Sequence, residues 1–167
     1  ALNRAVIDQP GKIAALEMGG NNPLIVASVN DLHSAAYWTI QSAFITSGQR
    51  CSCARRLILL DDALLAPLVE MTRGIRVGRY TDTPEPFMGP VITAGAADQI
   101  LEAQQALESA GGVSIVPLRR LESSRALLTP GLIDVTRITQ RADAEIFGPL
   151  LQLVRVKDFD DAIEEAN

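Results

Sequence analysis

The sequence predicts an α/β fold of three layers, a mostly parallel sheet flanked by helices. Three observations predict it. Candidate strands and helices alternate along the chain. The strands are continuous apolar runs rather than alternating ones, the pattern of strands covered on both faces. Glycine, proline and aspartate stand at the boundaries, where turns and caps need them.

The first strand is Leu24-Ile25-Val26-Ala27, after Pro23. Asp31 can cap a helix over residues 32–47, where Ala35, Ala36, Ile40 and Phe44 recur near helical spacing and Gly48 supplies the stop. Residues 56–60, Arg-Leu-Ile-Leu-Leu, read as a second buried strand. Asp61 and Asp62 open a helix that runs to about Arg73 and stops at Gly74. Residues 76–90 carry three prolines and two glycines and read as a long surface excursion. Residues 94–110, rich in Ala and Gln, form a strong helix ended by Gly111-Gly112. A third strand candidate is Val113-Ser114-Ile115-Val116. Residues 118–125 read as the loosest part of the chain. Leu127-Leu128 and Leu132-Ile133-Asp134-Val135 then flank a Pro130-Gly131 break. Residues 150–156 are another strand, and Asp158-Phe159-Asp160 opens the last helix.

A chain of 167 residues is long enough for one domain with a real core. The net charge of −5, with no basic block, argues against nucleic acid and against anionic membrane surfaces as partners. No apolar run approaches the ~20 residues that would span a bilayer. With one histidine, His33, a His-rich metal site and most His-based triads are disfavoured, and no metal is expected. His33 reads as a helix-start residue, and Tyr37-Trp38 as helix packing rather than a ligand site. The two cysteines, Cys51 and Cys53, are too close together to frame a disulfide fold, which favours a reducing compartment, the cytoplasm. The first residue is Ala1 rather than Met, and the last helix runs to Asn167. Both ends read as cut, so the chain is expected to be part of a longer protein.

Three common α/β signatures are missing: G-x-G-x-x-G, the phosphate loop and the G-x-S-x-G elbow. Three other segments carry chemistry. Cys51 follows Gly48-Gln49-Arg50, between a predicted helix and a predicted strand. A thiol there is open to substrate, and Arg50 and Arg55 are candidates to favour its thiolate. The alternative is a small buried apolar side chain. Glu17 precedes Met18-Gly19-Gly20, where two glycines leave a carboxylate free to move as a general base; the alternative is an ordinary solvated Glu before a turn. Glu145-Ile146-Phe147-Gly148-Pro149 sets an acid and an aromatic around a turn, either for a ligand or as a turn with a core Phe.

Together these segments resemble the aldehyde dehydrogenase family. Its pattern is an acid followed by Leu or Met and Gly-Gly, then G-Q-x-C, then E-x-F-G-P. Here these are Glu17-Met18-Gly19-Gly20, Gly48-Gln49-Arg50-Cys51 and Glu145-Ile146-Phe147-Gly148-Pro149, in the family's order. Cys51 stands 34 residues after Glu17, as in the family. The likeness narrows to a bacterial subgroup acting on an N-acylated glutamate semialdehyde in arginine breakdown, with Asn21 where many members have Lys. A dehydrogenase for another semialdehyde, such as glutamate semialdehyde, is the nearest alternative.

The resemblance implies Cys51 as nucleophile, Glu17 as the base that activates water, and NAD as cofactor. It implies Glu145 on the nicotinamide ribose, Phe147 at the nicotinamide end and Gly19 among the cofactor contacts. Cys53 receives no role, and Arg50 is a candidate reader of the substrate's carboxylates. It further implies that residues 1–167 are a fragment of the catalytic domain. The cofactor domain and the oxyanion Asn would precede it, and a C-terminal segment would follow. Alone, the fragment is expected to be inactive, and an exposed sheet edge favours a homo-oligomer. Two other classes compete. A scaffold domain would need neither Cys51 nor Glu17, and a cysteine hydrolase would need a His base that this chain does not offer.

Overall fold

The computed structural model describes Gln9, Gly11 and residues 18–167; Glu17 lies outside the described residues. Strand β1 is Pro23–Val26, β2 Arg56–Leu59, β3 Val113–Val116, β4 Gly131–Asp134 and β5 Leu150–Arg155. Helix α1 is Leu32–Phe44, α2 Leu65–Arg73, α3 Ala94–Ser109 and α4 Phe159–Ala166. The sheet order is β1-β2-β5-β4-β3. β1, β2, β5 and β4 pair in parallel, and β3 joins β4 antiparallel. The expected mostly parallel sheet is therefore present.

Side-chain alternation divides the sheet between two cores. On one face, Leu57, Leu59, Leu132, Leu151 and Leu153 pack with Ala36, Ile40 and Phe44 of α1 and Leu68 of α2. On the other, Ile133, Leu150 and Val154 pack with Ala97 and Ile100 of α3. Arg56 points to that second side, where its guanidinium bonds the Glu165 and Ala166 carbonyls at the end of α4. Helices thus cover both faces, which is why β2 and β5 are apolar runs buried almost throughout.

Caps follow the sequence closely. Asp31, Thr93 and Asp158 each accept a backbone N–H of the first turn of their helix. Pro67 falls in the first turn of α2, where its missing N–H had no partner to lose. The segment before α2 is a 3₁₀ turn, Asp62–Leu64, capped by Asp61.

Four local expectations change. Helix α1 ends at Phe44, not at residue 47, because Thr46, Ser47 and Gly48 all take left-handed backbone angles, with φ of 52°, 56° and 67°. Residues 118–125 are pinned: Leu118 is buried, and its N–H and C=O both bond the Gln104 side-chain amide. Arg120 pairs with Asp98. Residues 76–90 are tied back through Met88, fully buried and hydrogen-bonded to Arg76 and Gly78. Tyr37 and Trp38 do not pack a core. They form an edge-on pair on the exposed face of α1, centroids 5.2 Å apart.

Candidate active site

The three motif segments lead into three neighbouring parallel strands. Residues 18–22 precede β1, residues 48–55 precede β2, and residues 145–149 precede β5. In the sheet these strands stand side by side, β1-β2-β5. Parallel pairing therefore brings the three segments together at one end of the sheet, though 125 residues separate the farthest contact. That end is the amino end of the strands, whereas open α/β sheets usually bind ligands at the carboxyl end. The connection from β4 to β5 runs through residues 135–149 without a helix. Long irregular connections in compact domains are commonly functional, and this one carries Glu145 and Phe147.

Glycines set how closely the segments approach. A Cβ on Gly48 would lie 2.3 Å from the Gly148 carbonyl oxygen, and one on Gly148 would lie 2.2 Å from Ile100 Cδ1. The glycines of G-Q-x-C and F-G-P thus press against each other. A Cβ on Gly19 would lie 1.9 Å from Glu145 Oε2, and the next residue, Gly20, donates its N–H to that same oxygen at 3.2 Å.

Asn22 cradles the cysteine loop. Its side-chain amide donates to the Cys51 carbonyl at 2.5 Å and the Cys53 carbonyl at 3.0 Å. Its own carbonyl accepts the N–H groups of Arg55 and Arg56. Gln49 anchors the loop on the other side, accepting the Ile92 N–H at 2.8 Å. Ser47, buried, donates to the Gly89 carbonyl at 2.7 Å. The left-handed turn and these anchors leave Cys51 exposed and Cys53 buried, with Cys53 Sγ directed at the Ile45 carbonyl. The alternative of Cys51 as a buried apolar side chain is excluded.

Glu145 and Phe147 come to one place. Arg55, 1% exposed, donates from Nε and Nη2 to Glu145 Oε1 at 3.3 and 3.1 Å. Its guanidinium lies 5.3 Å from the centre of the Phe147 ring. Phe147 is 45% exposed, so it is no core residue. Arg55 thus spends Nε and Nη2 on Glu145, and Nη2 also reaches the Arg50 carbonyl beside Cys51. Arg50 remains exposed, beside a cleft of about 300 Å³ that Trp38, Ser52 and Cys53 also line. His33 is exposed in the first turn of α1, outside this cluster.

A second cleft, of about 270 Å³, opens between α3 and residues 145–147. Gln49, Gln99 and Glu145 supply its polar groups; Ile92, Ile100, Ile146 and Phe147 supply apolar walls. Sequence reading missed Gln99, because a Gln on an Ala- and Gln-rich helix carries no mark of a site. It also missed the anchoring by Asn22 and Gln49, though both stood inside the quoted motifs. Among the described residues, no group of three or more His, Cys, Asp or Glu gathers as metal ligands. No helix among them is long and apolar enough to cross a membrane.

The aldehyde dehydrogenase family profile matches residues 2–167. The chain is 52% identical over 163 residues to the N-succinylglutamate 5-semialdehyde dehydrogenase of Ectopseudomonas mendocina, covering 95% of this chain and 34% of that protein. It is 49% identical over 170 residues to the same-named protein of Pseudomonas fluorescens, covering 99% of this chain and 35% of the relative. The chain therefore spans about a third of the length of the curated relatives it matches. A solved structure of 1-pyrroline-5-carboxylate dehydrogenase from Thermus with bound NAD superposes with a TM-score of 0.79 at 33% identity, over 90% of this chain and 30% of that one.

Proposed function

The chain belongs to the aldehyde dehydrogenase family, and on that premise we propose that it is the catalytic portion of a longer cytoplasmic enzyme. The reaction is the oxidation of N-succinyl-L-glutamate 5-semialdehyde to N-succinyl-L-glutamate, with NAD, in arginine breakdown. One observation carries the reading: the exposed thiol of Cys51 stands in the same cluster of strand-leading segments as Glu145 and Phe147. The names of the relatives at about 50% identity support the substrate.

Cys51, as thiolate, adds to the aldehyde carbon, forming the C–S bond and an alkoxide. A bound nicotinamide ring supplies the hydride acceptor. Loss of hydride leaves a thioester on Cys51. Glu17 takes a proton from water as that water attacks the thioester carbon; the acid leaves and the Cys51 thiolate returns. The buried position of Cys53 leaves Cys51 as the thiol for this step.

The residues present fit the nicotinamide end of the cofactor. A carboxylate offers about four lone-pair sites. Arg55 occupies Oε1 of Glu145 twice and the Gly20 N–H occupies Oε2 once, so Oε2 keeps room for a ribose hydroxyl. The mixed lining of the adjoining cleft suits a sugar joined to a flat ring. Gly19 keeps the backbone beside that carboxylate free of a side chain.

The test is steady-state kinetics of the full-length enzyme on two aldehydes. N-Succinylglutamate semialdehyde is expected to exceed glutamate semialdehyde in kcat/KM by at least about 100-fold, since unpaired buried polar groups penalise the smaller substrate strongly. Cys51→Ser is expected to abolish turnover on both. Equal kcat/KM for the two aldehydes would assign the chain to another semialdehyde.

A further inference from the structure

Arg55 is the only charged side chain in the buried interior among the described residues. It reaches both halves of the site. Nε and Nη2 bond Glu145, the guanidinium faces the Phe147 ring, and Nη2 also donates to the Arg50 carbonyl at 3.0 Å, one residue before Cys51. Nη1 is buried and has no partner among the described residues.

This is a poor arrangement for stability. Burying a guanidinium sacrifices its hydration, and an apolar residue of similar volume often serves as well as a buried ion pair. An amino group with no partner among the described residues adds to that cost. What the arrangement provides is geometry. The planar fork fixes the Glu145 carboxylate, its face sets the Phe147 ring, and Nη2 also ties both to the backbone of the cysteine loop. Glu145 and Phe147 sit on the irregular connection into β5, which has no helix of its own to hold them.

We propose that Arg55 is a positioning residue. It holds Glu145 and Phe147 in register with the Cys51 loop, and so couples cofactor contact to the nucleophile. The proposal rests on the reading of Glu145 as a cofactor contact. Arg55 bonds Glu145 and the Arg50 carbonyl and acts through Glu145.

The experiment uses the full-length protein carrying this chain, with R55M, R55K, E145Q and the R55M/E145Q double variant. Three quantities are measured: Tm, NAD affinity by titration without aldehyde, and the rate of Cys51 alkylation by iodoacetamide, assigned by peptide mass spectrometry. R55M, which leaves Glu145 without its ion partner, is expected to lower Tm, weaken NAD binding about tenfold, and change the Cys51 alkylation rate severalfold. R55K, which keeps the charge without the fork, is expected to fall between parent and R55M. The double variant is expected to bind NAD no more weakly than E145Q, because Arg55 works through Glu145.

Parental NAD affinity and alkylation in R55M would overturn the proposal, as would losses in R55M and E145Q that add in full. If R55M does not fold, R55K decides: intermediate affinity at parental Tm supports the proposal, and parental affinity overturns it. Parental NAD affinity in E145Q would instead remove Glu145 from the cofactor site. Arg55 is then judged on alkylation alone, where a parental rate in R55M overturns the proposal.

Discussion

Gly48 shows how one residue carries the site. Its φ of +67° lies where a side chain is strained, and a Cβ there would meet the Gly148 carbonyl at 2.3 Å. Gly48→Ala combines a left-handed penalty with overpacking against backbone, and is expected to destabilise by about 2–4 kcal/mol. For a chain of this size that lowers Tm by roughly 5–15 °C, read by thermal melting; an unchanged Tm would mean the two loops are not pressed together. In the sequence, Gly48 was legible as a helix stop. Its contact with Gly148 was not, because nothing local records a partner 100 residues away. The same holds for Asn22, which carries no signal of its own in the sequence and holds the Cys51 and Cys53 carbonyls. Arg55 was legible as a charge near Cys51, but its burial and its pairing with Glu145 depend on β2 and β5 being neighbours.

At the scale of elements, the ends of β4 and β5 are stapled to the turn after β2. Arg155 pairs with both Asp134 and Asp62, and Thr136 bonds Asp134 and the Arg155 N–H. Burial pushes the Asp134 carboxyl up, but hydrogen bonds from Thr136 and the Arg155 charge outweigh it, and the net direction is down. A carboxyl held below its unfolded value, about 3.9, stabilises fully above that pH and loses the stabilisation as pH falls through the lower folded value. The Tm of the parent is therefore expected to fall faster than that of Asp134→Asn between about pH 5 and pH 3. A gap between the two melting curves that does not change with pH would contradict this. Most elements were legible because caps and apolar runs are local. Asp31, Thr93 and Asp158 cap helices as aspartate and threonine commonly do. The misreadings fall where a distant partner overrides local preference: Ser47 on Gly89, and Gln104 on Leu118.

For the whole molecule, strand order brings the candidate site together. Three weak motifs, scattered over the chain, become one site because β1, β2 and β5 are adjacent and parallel. Motif order was legible in the sequence; adjacency was not, since β5, the last strand in the chain, lies between β2 and β4. Among the described residues, the edge strands β1 and β3 each pair on one side only. Light scattering of the 167-residue chain is expected to give a dimer or larger, and a monomer at high concentration would count against pairing through these edges. The same chain, about a third as long as its relatives, is expected to form no NADH from aldehyde. Loss of one oxyanion donor alone slows well-studied enzymes by about 10²–10³.

In the proposed reaction Cys51 forms the covalent intermediate and Glu17 is needed to release it. The most direct measurement is to mix the full-length Glu17→Gln enzyme with NAD and N-succinylglutamate semialdehyde, quench in acid and map the adduct by peptide mass spectrometry. The expected result is an N-succinylglutamyl thioester on Cys51, accumulating with one NADH per site and released slowly. An adduct on Cys53, or NADH formed at the parental steady rate with Cys51 unmodified, would remove Cys51 from the reaction.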